Sequence, residues 1–177
     1  MIPKISWSNA VALHESAIAG YTKAALEMAD EDWSNGENAG WAPAHVTEHL
    51  TLVYEVLLKE LRGGPGMEVR TNFVTQRLLR WILVPRVLRG AGFPRARAPR
   101  ETRPVLSAGK DRTIALQTLR QLADSFQETI QVSFEKNPKM RLTHAYFGSS
   151  TLEQSLLLCA RHIEHHTRGL NRSNGKN

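Results

Sequence analysis

The chain has 177 residues and a mass of 19.9 kDa, 41% of them hydrophobic and 23% charged, with a mean hydropathy of −0.35. Such values exclude wholesale disorder and suit one domain with a sizeable core, and no uncharged apolar run is long enough for a transmembrane helix. A single cysteine, Cys159, excludes an internal disulfide framework and a cysteine-rich zinc module. The opening residues 1–17 lack the apolar core of a secretory signal, so a cytoplasmic protein is expected.

Charge is unevenly spread. Lysine and arginine number 23 against 17 acids, giving a net charge of +6 and a pI near 9.8. Residues 62–112 hold twelve of the basic residues but only Glu68, Glu101 and Asp111, so this stretch carries +9 and the remainder −3. The pattern is that of a near-neutral body with one basic insert. It suggests a surface wrap or the rim of a site rather than a dedicated nucleic-acid binder, for which no recognition motif is present.

Taken in chain order, the elements are helical. Trp7, Val11, His14, Ile18, Tyr21, Ala25 and Met28 recur every three or four residues, as one face of an amphipathic helix does. Asp30, Asp32, Ser34, Asn35 and Gly36 read as the polar loop that ends it. Pro43 opens a second helix, where its missing N–H costs nothing, with Val46, Leu50, Val53 and Leu57 as its stripe and Gly63-Gly64-Pro65-Gly66 as its stop. A short helical pattern at 73–84 contains Phe73, Leu78, Leu79, Trp81 and Ile82, and Pro85 is expected to kink or end it. From Gly90 to Gly109 there is no periodicity, and Pro94, Pro99 and Pro104 favour an extended course over the surface.

The third long helix is expected from Asp111 to Lys136, with Leu119, Leu122, Phe126 and Ile130 buried and Asn137-Pro138 ending it. The fourth is expected to start at a capping box, Ser150-x-x-Glu153, with Leu152, Leu156, Cys159, Ile163, His166 and Leu170 as its seam. The tail after Arg172 is polar and expected to fray. No alternating strand pattern and no internal repeat appear. The reading is all-α: a four-helix bundle over residues 1–172 with an additional short helix. The long basic connection between the second and third long helices allows those two to run parallel, in up-down-down-up order.

Seven histidines stand at 14, 45, 49, 144, 162, 165 and 166. His162 and His166 are four apart, so they share a helix face about one turn apart and can converge on one ion. A pair bonded to carboxylates or water is the other reading, since burying such groups unsatisfied is costly. His49, beside the buried stripe of the second helix, supplies a candidate third ligand. His45 sits nearer the helix start and is left out, and His165 points about 100° from His166.

Three imidazoles from two helices would cap one side of a divalent cation and leave positions open, as catalytic sites do. Imidazole suits zinc, nickel, iron or copper, and the lack of a carboxylate argues against magnesium or calcium. The segment His162-Ile163-Glu164-His165-His166 is not the zinc-peptidase motif, and Glu164 projects away from the metal face. Cys159 could add a thiolate, but a small buried seam residue is the plainer reading. His14 reads either as a cavity group or as a satisfied core histidine. Tyr21, Tyr54, His14 and His45 are the candidates for the cavity wall.

Three motifs then resemble one family. Trp41-Ala-Pro43-Ala-His45-Val46-Thr-Glu-His49-Leu50 is similar to the W-x-P-x-x-V-x-x-H-L start of the second helix in DinB-like proteins. His144-Ala-Tyr-Phe147-Gly148 is similar to the H-x-x-F-G stretch before that family's last helix, and His162-x-x-His165-His166 to its H-x-x-H-H signature. The matches keep the family's order across about 125 residues. The resemblance implies a metal-binding four-helix bundle with His49, His162 and His166 as ligands. It also implies an activity of the thiol-transferase or hydrolase type on a small molecule, with a divalent transition metal (zinc or nickel first) and a low-molecular-weight thiol as cofactors. The glutamine that members often carry three residues after the last ligand is Gly169 here. A metal-binding bundle without catalysis, or an interaction module that docks on acidic surfaces through the basic insert, is the alternative. A homodimer is plausible on the exposed bundle faces.

Overall fold

The computed structural model describes residues 6–35, 40–94, 96–105 and 111–174, with side-chain surroundings up to Asn171. Its elements are α1 (Trp7–Leu26), α2 (Asp30–Ser34), α3 (Pro43–Leu61) and α4 (Phe73–Leu88). A 3₁₀ turn (Arg100–Thr102), α5 (Arg112–Lys136), β1 (Arg141–His144), β2 (Gly148–Thr151) and α6 (Leu152–Asn174) follow. Helices α1, α3, α5 and α6 form the bundle.

Side-chain bonds fix the direction of each helix. Tyr21, late in α1, bonds Thr47, early in α3, whereas His14, earlier in α1, reaches Tyr54, later in α3. Trp7 at the start of α1 stacks on Phe134 near the end of α5, while Arg112 at the start of α5 donates to the Met28 carbonyl beyond the end of α1. So α3 and α5 both run against α1 and parallel to each other. Glu60, at the end of α3, accepts from the backbone N–H and hydroxyl of Thr143 just before α6, so α6 returns alongside α1. The order is up-down-down-up, as the long connection between the second and third long helices allows.

The core follows the sequence stripes. Ile18, Tyr21 and Ala25 of α1 and Met28 just beyond it are buried with Leu50, Val53 and Leu57 of α3, Leu119, Phe126 and Ile130 of α5, and Leu152, Leu156 and Ile163 of α6. A smaller cluster joins Val84, Val87 and Leu88 of α4 to Phe147, Leu157 and Leu158. The N-caps are local: Ser6 accepts from Asn9 N–H, Asn72 from Thr75 N–H and Asp111 from Ile114 N–H. Among the described residues no buried side-chain nitrogen or oxygen lacks a partner, and no helix is long and apolar enough to cross a membrane.

Several expectations are corrected. Residues 141–151 form an antiparallel hairpin, pairing Leu142 with Ser150 and His144 with Gly148. Each strand has four residues, too few for an alternating pattern to register. The capping box lies one residue later than expected: Thr151 and Gln154 exchange side-chain-to-backbone bonds, while Ser150 stays in the strand and bonds Leu142 O and Ser155. Pro85 does not end α4, which continues to Leu88. The bond it forfeits is to the carbonyl of Trp81, an exposed residue, and burial of Val84, Val87 and Leu88 holds the last turn. The acidic stretch expected as loop contains α2, whose Trp33 is buried, and residues 36–39 lie outside the described residues. The connection from Gly90 carries the 3₁₀ turn, and 106–110 lie outside the described residues. The expected frayed tail is helical to Asn174, with 175–177 again outside them.

Candidate metal centre

His49 enters from the second turn of α3. Its helix starts at Pro43, and the Trp41 ring packs 5.1 Å from the His49 ring, which accounts for both aromatic and proline in the sequence motif. His162 and His166 come from successive turns of α6, their rings 4.8 Å apart. The three Nε2 atoms converge: His162 Nε2 lies 3.3 Å from His49 Nε2 and 3.1 Å from His166 Nε2. All three ligand atoms fall within 4.8 Å of one another.

The donor set fits a metal ion. Nitrogen ligands about 2.1 Å from one ion stand roughly 3.0–3.4 Å apart in octahedral or tetrahedral geometry. Burial depresses the pKa of His49, though its bond to the Thr102 carbonyl opposes this. Burial, then the charges of neighbouring histidines, holds His162 well below the ordinary range. The same causes push His166 down to about 3. The rings are therefore neutral, as ligands must be. His49 Nδ1 donates to Thr102 O at 2.6 Å, which fixes its tautomer and leaves the Nε2 lone pair directed at the cluster. One proton on His162 Nε2 can serve His49 or His166 but not both. A cation accepts all three lone pairs.

Thr102 lies in the 3₁₀ turn of the basic insert, so the insert is built into the centre. No sequence signal marks a backbone carbonyl as the partner of a histidine, so this contact is visible only in the fold. Phe93, also from the insert, packs 5.2 Å from the His162 ring.

Beside the three histidines opens a cavity of about 480 Å³. Its walls are mostly apolar, among them Val53, Leu57, Met67, Leu142 and Leu158, with Pro94 and Pro99 from the insert. His144 and Arg97 add polar groups. His144 Nδ1 accepts from the backbone N–H groups of Tyr146 and Phe147 at 3.2 and 3.3 Å, so its proton sits on Nε2. Burial pushes its pKa down to about 4 and keeps it a neutral donor in the cavity wall. Its ring stacks on Phe147 at 4.2 Å. Gly148, with φ of +68°, completes that turn where a Cβ would collide with the Gln76 side-chain amide.

The expected cavity wall is corrected. Tyr21, Tyr54, His14 and His45 do not line the cavity. His14 is a satisfied core histidine, its Nδ1 2.8 Å from Gln127 Oε1 and its Nε2 2.7 Å from the Tyr54 hydroxyl. Tyr21 is spent on Thr47, and His45 accepts the Ala42 N–H at the helix start. His165 lines the cavity, its ring 6.1 Å from that of Phe93. Glu164 pairs with Arg161 at 2.8 Å, clear of the cluster. Cys159 borders the cavity, but burial pushes its thiol up to about 12, which withholds the thiolate. A Cβ at Gly169 would meet no atom within 4 Å, so the position has room for a side chain.

Comparison with known proteins agrees with this architecture. No curated protein sequence matches the chain. Among solved structures it is similar to YfiT from Bacillus subtilis, described as a probable metal-dependent hydrolase with an unusual four-helix bundle topology. The TM-score is 0.62 at 16% identity, covering 100% of this chain and 92% of that one. The profile of the DinB superfamily matches residues 13–169, and on that match, with the bundle and its three-histidine cluster, the chain belongs to the DinB superfamily.

Proposed function

We propose that this protein is a divalent-metal-dependent enzyme of the hydrolase or thiol-transferase type, with His49, His162 and His166 as ligands and zinc or nickel as the metal. One observation carries the reading: three imidazole Nε2 atoms converge at the side of an apolar cavity, with one of the rings fixed by a backbone carbonyl. The likeness to a probable metal-dependent hydrolase supports the hydrolytic branch. A bound ion would act as a Lewis acid that lowers the pKa of a water or a low-molecular-weight thiol.

The chain's own residues account for the rest. Val53, Leu57, Met67 and Leu158 exclude water and select a small, largely apolar substrate. His144, held as a neutral Nε2–H donor, is placed to hydrogen-bond an oxygen on which charge develops. Arg97, which borders the cavity, favours an anionic or strongly polar substrate end. No carboxylate lines the cavity among the described residues, so proton transfer falls to His144, His165 or solvent.

The test uses chelator-stripped protein reloaded with zinc or nickel and assayed against apolar esters, amides and thiol-conjugation acceptors. Turnover restored by metal and reduced at least about tenfold in His144→Ala is expected. Stoichiometric metal without turnover on any substrate class would leave the alternative, a non-catalytic metal-binding or interaction module.

A further inference from the structure

Helix α4 is apolar along most of its length, and the bundle buries only its last turn. Val84, Val87 and Leu88 are buried against Phe147, Leu157 and Leu158. Val74, Leu78, Trp81 and Ile82 are left 75, 54, 76 and 41% exposed, and Phe73 at the helix start is 68% exposed. At about 100° per residue, Val74, Leu78, Trp81 and Ile82 share an arc of roughly 100°. Arg77 lies about 40° beyond one edge of that arc and Arg86 about 40° beyond the other, with Arg89 capping the end. An isolated exposed leucine needs no explanation, but a continuous apolar stripe containing tryptophan and flanked by arginines does.

The surrounding charge identifies what this stripe faces. Residues 69–100 contain eight arginines and no acidic residue. A second copy docked symmetrically through α4 would bring Arg77, Arg80 and Arg86 against their equivalents, with no carboxylate on the helix to neutralise them. Nucleic acid would satisfy the arginines but leave the apolar stripe in water. A surface both apolar and anionic satisfies both features, and α4 is too short and too charged to cross a bilayer.

We propose that α4 docks the protein on an anionic lipid surface. The helix lies in the headgroup plane, with Val74, Leu78, Trp81 and Ile82 at the acyl boundary and Arg77, Arg86 and Arg89 among the phosphates. This surface is separate from the three-histidine centre and does not depend on the catalytic reading.

The experiment is vesicle flotation of the protein as purified. It compares phosphatidylcholine vesicles with vesicles containing about a third phosphatidylglycerol, at low and high salt. Binding to the anionic vesicles is expected to be at least about tenfold tighter than to the neutral ones, and to weaken with salt. Trp81 emission should shift to the blue on binding, and Trp81→Phe should remove that shift while retaining binding. The double variant Leu78→Asp/Trp81→Asp should lose at least about tenfold in affinity, and Arg77→Glu/Arg86→Glu should lose the preference for anionic vesicles. These side chains are exposed, so circular dichroism and metal content should not change. Three results would each overturn the proposal: no association at low salt, binding indifferent to Leu78→Asp/Trp81→Asp, or a dimer broken by Trp81→Asp in a protein that ignores vesicles. Binding to duplex DNA but not to vesicles would overturn it as well.

Discussion

His14 of α1 and His49 of α3 are both buried, and the bundle treats them in opposite ways. Both nitrogens of His14 are consumed, one by Gln127 and one by Tyr54, so its ring ties α1 to α3 and α5. His49 spends only Nδ1, on the Thr102 carbonyl, and directs Nε2 towards His162. Burial depresses the pKa of both rings. What separates a structural histidine from a proposed ligand here is therefore the fate of the second nitrogen, not depth or electrostatics. The comparison also explains why the apolar stripe of α1 tolerates a histidine: every polar atom it brings inside is paired.

The sharpest way to break that comparison is to remove His14. His14→Ala opens a cavity and orphans the Tyr54 hydroxyl and Gln127, so a loss of about 2–4 kcal/mol is expected in urea unfolding. Bound metal should stay stoichiometric. A variant that folds normally but loses metal would place His14 in the centre after all.

Next in size is the response to metal. A ligand at a hundredfold excess over its Kd stabilises the folded state by about 2.7 kcal/mol, which raises Tm by roughly 5–10 °C in a domain of this size. Calorimetry of stripped protein with and without zinc or nickel should show this shift, and His14→Ala should retain it. His166→Ala should show none.

A smaller effect comes from pH. The folded-state pKa of His14 is lowered below its ordinary 6.5, chiefly by burial, so the unfolded chain takes up the proton first. The stabilising contribution of neutral His14 is complete above about pH 6.5 and is lost as pH falls below it, by up to about 1.4 kcal/mol per pH unit. Denaturant unfolding of metal-free protein between pH 7 and pH 5 should therefore show a shallower slope in His14→Gln than in the native chain. Equal slopes would mean that His14 is not a buried neutral ring.

Much of this was legible in the sequence, for a definite reason. Ile18, Leu50, Phe126 and Leu156 belong to stripes that repeat over about three to six turns, and such periodicity survives local exceptions. His162 and His166 were readable as a pair because helix geometry dictates that residues four apart converge. Shorter-range and non-periodic features were not readable. A four-residue strand such as Arg141–His144 has no repeat to detect, and α4 outlasts Pro85 because tertiary burial of Val87 and Leu88 outweighs a lost backbone bond. The Thr102 carbonyl carries no residue-type signal at all. The cavity wall is illegible for a related reason: Tyr21 and Tyr54 look available in sequence, but each hydroxyl already has a partner inside the core.

The central claim is that the second nitrogens of His49, His162 and His166 belong to a metal. Elemental analysis of freshly purified native protein beside His162→Ala, each checked for helicity, tests it most directly. One equivalent of a divalent transition metal in the native protein, with the variant folded but empty, is the predicted result. A folded His162→Ala that keeps its full metal content, or a native protein that takes up none from excess zinc or nickel, would contradict the account.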